Sequence, residues 1–260
     1  MPILLPVPQI LQNPELPNGC EVTSLCEVLR FLGFDADKCD LADHYLPRSE
    51  RWYGADPDKV YMGNPHLDDG SPETGYYCFA GPIVAAADAY LAGHGGGYAA
   101  RDLTGAGEAE LLAQLERGRP VIFWATLRFN DVQFDPCGAY PLPGGGSHRV
   151  FHTLHCMVLC GADDTHFTVA DPLNFNHRVE RGRFIEIYRQ LGRRAVVLVP
   201  DGETLCPPRR GAPVPSVSVY RTRRKTATHN LPRPGKILPA GPLAPAPGRS
   251  AKNGGPPTLG

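Results

Sequence analysis

An α+β fold is predicted, with helices from the N-terminal half packed on an antiparallel sheet drawn mainly from the C-terminal half. Three observations predict it. Apolar residues at helical spacing come first, at Val22, Leu25, Cys26, Leu29 and Leu32. Short apolar runs bounded by turn residues come later, at 120–127, 155–161, 166–171 and 194–199. The second and third of these runs are separated only by Ala162-Asp163-Asp164-Thr165, which suits a hairpin and is too short for a parallel crossover.

The elements follow in order. Residues 6–17 are proline-punctuated and extended. The first helix is expected over Cys20–Leu32, with Gly33 where a C-terminal cap belongs. A second short helix is read over Asp37–Leu46, and Pro47–Tyr77 is a long loop rich in turn residues. Ile83–Leu91 is an alanine-rich helix, and Gly107–Arg117 is another. The strand Pro120–Leu127 follows, then a second long loop over Arg128–Thr153. The hairpin strands are His155–Gly161 and His166–Asp171. Helix Arg183–Leu191 and strand Arg194–Val199 close the domain. The glycine runs at 95–97 and 144–146 lack a following Lys-Ser/Thr and are read as loops.

With 260 residues the chain can bury a core without staples, as one large or two small domains. No apolar run is long enough to span a membrane. The opening Met-Pro-Ile-Leu-Leu-Pro-Val-Pro lacks the basic region of a signal peptide, so a cytoplasmic location is expected, or a secreted one if the true start lies upstream. The net charge of −1 conceals an asymmetry. Residues 207–260 hold ten Lys/Arg, twelve prolines and no Asp or Glu, which leaves 16 basic residues against all 27 acidic ones in 1–206. Residues 1–206 are therefore expected to form the domain and 207–260 a disordered basic Pro/Gly-rich tail. A solvated tail is the simpler reading of Arg221-Thr222-Arg223-Arg224-Lys225, and contact with anionic surfaces the functional one. The acidic domain argues against nucleic acid as its partner. A monomer is expected.

The first candidate for chemistry is Cys20. It follows Leu16-Pro17-Asn18-Gly19 and opens the first helix, where unsatisfied N–H groups and the helix dipole favour a thiolate. The same N–H groups can receive an oxyanion formed beside the sulfur. A lone cysteine at a helix start is more often structural. The second candidate changes the balance. If Gly161 pairs with His166, His155 lies opposite position 172 and Asp171 is one residue away. A short hairpin then brings a carboxylate to an imidazole, the base and orienter that a nucleophile needs.

These residues carry a resemblance. The chain resembles the peptidase C39-like (C39_2) group of bacterial papain-fold cysteine peptidases. The matching stretches are VPQILQNPELPNGCEVTSLCEVLRFLGF, DPDKVYMGNP, GYYCFAGPI, RGRPVIFWATL, HTLHCMVLCGADDTHFTVADPL and RFIEIYRQLGRRAVVL. They cover most of residues 6–199, with the tail outside. The resemblance implies a papain-like cysteine peptidase fold, with Cys20 as nucleophile, His155 as general base and Asp171 as its orienter. It also implies Gln12 as the side chain of the oxyanion hole, with Gln9 as its nearest rival. Phe151 stands where the family more often carries a tryptophan near the histidine. The implied activity is acyl transfer through a thioester, chiefly hydrolysis of a peptide or amide bond in a peptide or protein substrate.

Alternative readings are a catalytically silent binding domain of the same fold and a zinc-stabilised binding protein. His148, His152, His155, Cys156 and Cys160 are the possible zinc ligands. On a strand His155 and Cys156 point to opposite faces, which works against tetrahedral convergence, so neither a metal nor a cofactor is expected. Asp68-Asp69-Gly70 reads as a turn, because it lacks the alternating oxygen ligands of a calcium loop. Tyr76, Tyr77, Phe79 and Trp124 read as core or cleft wall.

Overall fold

A computed structural model describes residues 2–174 and 176–205. The expected tail, and Cys206 before it, lie outside the described residues. The architecture is α+β, built on a seven-stranded antiparallel sheet. The strands are β1 (Ile3–Leu4), β2 (Tyr98–Asp102), β3 (Val121–Thr126), β6 (Leu154–Ala162), β7 (His166–Ala170), β8 (His177–Glu180) and β9 (Ala195–Pro200). Their order is β2-β9-β3-β6-β7-β8, with β1 pairing alongside β6. A separate two-stranded sheet joins β4 (Phe134–Pro141) to β5 (Ser147–Phe151).

Helices cover both faces of the large sheet. On one face lie α1 (Cys20–Phe31), α2 (Lys38–Asp40) and α3 (Ala80–Gly93). Their core includes Val22, Leu25, Leu29, Ile83 and Tyr90 against Ile122, Trp124, Cys156, Val158 and Val196. On the other lie α4 (Glu108–Glu116) and α5 (Arg181–Gln190), with Leu111, Phe184 and Ile187 against Val121, Phe123, Met157, Leu159 and Val197. This double cover explains why Val-Ile-Phe-Trp-Ala-Thr in β3 is apolar almost throughout, and every one of its residues is buried. The expected packing of N-terminal helices on the sheet is present, and α5 covers the second face together with α4.

The long first helix starts and stops as its sequence predicts. Gly19 comes close enough to Leu16 that a Cβ on it would sit 2.6 Å from that of Leu16. At the other end Gly33 has φ +94°, its N–H reaches the Arg30 carbonyl, and the Phe34 N–H reaches that of Leu29. This double closure is the Schellman arrangement that glycine makes cheap. The second expected helix is only partly α-helical. The Asp37 carboxylate accepts from the N–H groups of Cys39 and Asp40, and the chain then widens into a π-helical turn over Leu41–Tyr45.

Five strands fall where loops or no element are expected, the two-residue β1 among them. β2 and β8 are edge strands with mixed sequences, Tyr-Ala-Ala-Arg-Asp and His-Arg-Val-Glu, that present little apolar alternation. β4 carries Pro136 and Gly138, and its register with β5 shifts between Phe134 and Ala139. Gly144–Gly146 form the turn of that hairpin, and Gly95–Gly97 lead from α3 into β2.

Candidate active site

Cys20 is the first residue of α1 and is buried. Gly19 supplies no side-chain cap, so the thiol itself occupies the helix entrance. Two contacts hold the sulfur. It accepts the N–H of Cys156 in β6 at 3.4 Å, and it donates to Glu21 Oε2 at 3.3 Å. The expectation of a thiolate favoured by the helix dipole meets an opposing effect. Burial pushes the Cys20 thiol well up, and the Glu21 carboxylate pushes it further in the same direction. The dipole at a helix end is worth about 1 kcal/mol, which is too little to offset full desolvation of a thiolate.

The hairpin brings the other two residues together, though in a different register. Val158 pairs with Ala170 and Leu159 with Val169, while Gly161 pairs with Thr168 and Ala162 with Phe167. The expected Gly161–His166 pairing is therefore displaced, and an irregularity at Cys160 shifts it again within the ladder. Asp171 lies just beyond the end of β7 and reaches back. His155 Nε2 and Asp171 Oδ1 are 2.7 Å apart, and both side chains are buried. The Leu173 N–H donates to the same carboxylate oxygen at 2.9 Å, and His177 Nδ1 stands 3.9 Å from the other. Burial pushes the Asp171 carboxyl up, but the His155 hydrogen bond and charge, the Leu173 N–H and His177 outweigh it, so the net direction is down. With Nε2 committed to Asp171, Nδ1 is the ring atom left to receive a proton. Among the described residues no hydrogen bond joins the imidazole to Cys20 Sγ.

The two glutamines part company. The side-chain amide of Gln9 donates to the carbonyls of Asp171, at 3.2 Å, and Asn174. Its Oε1 accepts the Asn176 N–H, so Gln9 clamps the turn that follows Asp171. Gln12 is buried, and its Nε2 donates to the Pro17 carbonyl at 2.6 Å, three residues before Cys20. Its Oε1 has no partner among the described residues. The Gln12 side chain thus reaches the segment before Cys20 while its backbone N–H donates to the Pro172 carbonyl at 2.8 Å, and the Gln9 side chain stays on the aspartate side.

Two carboxyls went unassigned in the sequence. Glu21 is fully buried, accepts the Cys78 N–H at 3.0 Å, and is pushed up to about 7 by desolvation. Glu27, two turns along α1, accepts the Ile10 N–H at 2.9 Å and is pushed up to about 8 by desolvation. Both stand on the helix side that meets the sheet. Their position in the helical repeat, one and seven residues after Cys20 among apolar neighbours, is the signal that marks them as buried.

The remaining candidates sit elsewhere. His148 Nε2 pairs with Tyr77 Oη at 2.8 Å, and burial lowers its basicity. His152 faces Asp135 at 3.7 Å. Cys156 and Cys160 are buried on the α1 side of the sheet. Among the described residues no group of three or more His, Cys, Asp or Glu stands where it could hold a metal ion. The described cysteines are all free. Asp69 closes a turn on the Ser71 N–H and Thr74 Oγ1. Tyr77, Phe79 and Trp124 are core, and Trp124 Nε1 donates to the Cys78 carbonyl at 2.8 Å.

Relatives share this arrangement of sequence and fold. The chain is 32% identical over 202 residues to the uncharacterized protein YvpB of Bacillus subtilis (strain 168), covering 74% of this chain and 75% of that one. A crystal structure from Bacillus anthracis, assigned by its name to the C39-like peptidases, superposes with a TM-score of 0.68 at 29% identity. That match covers 78% of this chain and all of the other. The Peptidase_C39 like family model matches residues 4–196. The family model spans most of the chain and the solved relative shares its papain-like fold, so the chain belongs to the Peptidase_C39 like family.

Proposed function

We propose that the protein is a cysteine-nucleophile acyl-transfer enzyme that hydrolyses peptide or amide bonds through a thioester on Cys20. The observation that carries this reading is the buried His155–Asp171 pair at 2.7 Å, on the strand whose next residue, Cys156, donates its N–H to Cys20 Sγ. The strand thereby couples the base to the sulfur through adjacent residues.

In this reading the thiol proton passes to His155 Nδ1 and the sulfur attacks the substrate carbonyl carbon. The oxyanion is received by the N–H groups that open α1 and by the Gln12 amide. Collapse expels the amine, which takes the proton from His155 and leaves the acyl group on sulfur. Water, activated by His155, then cleaves the thioester and restores the thiol. Asp171 keeps the imidazole in one tautomer and orientation throughout.

A second reading, the same fold without turnover, draws on the burial of Cys20 and on its bond to Glu21. One experiment separates the two. The protein is treated with an electrophilic peptide-like thiol probe, and the labelled cysteine is mapped by mass spectrometry. Labelling at Cys20 that disappears in His155→Ala supports the enzyme. Labelling spread over the exposed Cys137 and the half-buried Cys39, with Cys20 untouched, supports the silent domain.

A further inference from the structure

Glu21 is a buried carboxyl with no described cation against it. Its Oε1 takes the Cys78 N–H at 3.0 Å, and its Oε2 takes the Cys20 thiol at 3.3 Å. The groups that act on it are Cys20 on α1, Cys78 ahead of α3, Trp124 on β3, Cys156 on β6 and Tyr61 on the long loop. None of these is cationic, so nothing among them offsets a negative charge on Glu21. A protein interior rarely holds a carboxylate this way unless its charge state matters or it stays neutral.

We propose that Glu21 is a positioning residue whose charge state sets the reactivity of Cys20: charged, it holds the thiol protonated; neutral, it supports the thiolate. The inference rests on Cys20 being the nucleophile. Its basis is the hydrogen-bond direction available at Oε2. An ionised carboxylate is only an acceptor, so it can bond the sulfur only while the sulfur keeps its proton. It also opposes a second negative charge close by. A neutral carboxyl carries its own O–H and can donate it to a sulfur anion. In that state the S–H bond breaks, the proton goes to His155 Nδ1, the electron pair stays on sulfur, and Glu21 keeps its proton while donating to the anion. The Cys156 N–H, already aimed at the sulfur, serves both states and strengthens against the anion. The upward push on Glu21, to about 7, places the exchange between its two states near neutrality.

The geometry also accounts for the bond between the sulfur and Glu21, where a papain-like site needs a thiol free to meet the imidazole. In the described arrangement the thiol is parked on Glu21. Neutralising Glu21 releases the sulfur's proton without moving α1, because both partners sit in the same first helical turn.

The test is the pH dependence of Cys20 alkylation by iodoacetamide, followed residue by residue in the full chain, for the unsubstituted protein and for Glu21→Gln. Glutamine keeps the shape, keeps an acceptor for the Cys78 N–H, and offers a permanent donor to the sulfur. At pH 5.5 the two proteins should label Cys20 alike. At pH 8.5 Glu21→Gln should label about tenfold faster, which is the effect of a one-unit change in thiol ionisation. Parallel profiles at every pH overturn the proposal. Should Glu21→Gln not fold, carbon-13 NMR of the Glu21 carboxyl decides the matter, comparing the unsubstituted protein with Cys20→Ala. Loss of the thiol donor should raise the Glu21 midpoint, and an unchanged midpoint overturns the proposal. The two readings fail separately. If Cys20→Ser abolishes hydrolysis while the alkylation profiles stay parallel, the enzyme stands and the role of Glu21 falls. If Glu21→Gln shifts the profile but no acyl-enzyme forms with any peptide probe, the role of Glu21 stands and the enzyme falls.

Discussion

Asp171 makes two bonds through one oxygen, to His155 Nε2 and to the Leu173 N–H, and this decides what its replacement does. In Asp171→Asn the amide oxygen can keep both bonds, so the ring stays oriented while the negative charge that favours an imidazolium is lost. Under the proposed mechanism, turnover of a peptide substrate should fall less than in His155→Ala, where the proposed proton carrier is gone and a loss on the order of 10²–10⁴ is expected. Relative kcat values of the two variants check the ordering, and an Asp171→Asn protein as inactive as His155→Ala contradicts it. This pair was legible in the sequence because a four-residue turn leaves two strands little choice of partner. The register was not, since the irregularity at Cys160 depends on how β6 meets β1 and β7 at once. Asp171 reaches His155 all the same because it lies past the ladder, on a turn held by Gln9. The fate of Cys20 was half legible. Its place at the helix start follows from Pro17-Asn18-Gly19, but its burial beside Glu21 arises only when Cys78 and Trp124 arrive from distant segments.

Helix α1 carries the proposed nucleophile at one end and a glycine at each boundary, and the two glycines serve different purposes. At Gly19 φ is −104°, which any residue adopts, so the constraint is the 2.6 Å contact with Leu16, a fully buried side chain. At Gly33 nothing lies within 4 Å of an added Cβ, and the constraint is φ +94°. Gly19→Ala should cost about 1–3 kcal/mol through overpacking, and it should also slow Cys20 alkylation because the helix entrance must move. Gly33→Ala should cost about 1–2 kcal/mol through backbone conformation alone and leave Cys20 alkylation unchanged. Denaturant midpoints and alkylation rates for both variants separate the two effects. The same contrast explains which elements the sequence declared. α1 and β3 are long, periodic or wholly apolar, and each meets the core on its own pattern. β2, β8 and the β4–β5 hairpin exist through their partners, β9, β7 and each other, and no local pattern announces such pairing.

Across the whole molecule, the two buried carboxyls of α1 set how stability responds to pH. Glu21 and Glu27 are pushed from the ordinary carboxyl value of 4.5 to about 7 and about 8, in both cases mainly by desolvation. Between 4.5 and those values the folded protein holds protons that the unfolded chain has released. The contribution of these two carboxyls to stability must therefore fall as pH rises through that window, and it levels off above about pH 8. At about 1.4 kcal/mol per unit, each carboxyl contributes a slope worth a few kcal/mol in total, large against a typical net stability of about 5–15 kcal/mol. Asp171 acts in the opposite sense, since its folded value is lowered, and its contribution is lost as pH falls below the ordinary carboxyl range. The melting temperature should peak on the acid side, near pH 5, and decline toward pH 8. Glu27→Gln keeps an acceptor for the Ile10 N–H and carries no charge at any pH, so it should flatten the decline while leaving the Glu21 share in place. Melting curves collected from pH 4 to pH 9 test this. A melting temperature that climbs to neutrality, or a Glu27→Gln profile with the parent's slope, would show that these carboxyls ionise at little cost. It would also remove the energetic ground for a neutral Glu21 beside the sulfur.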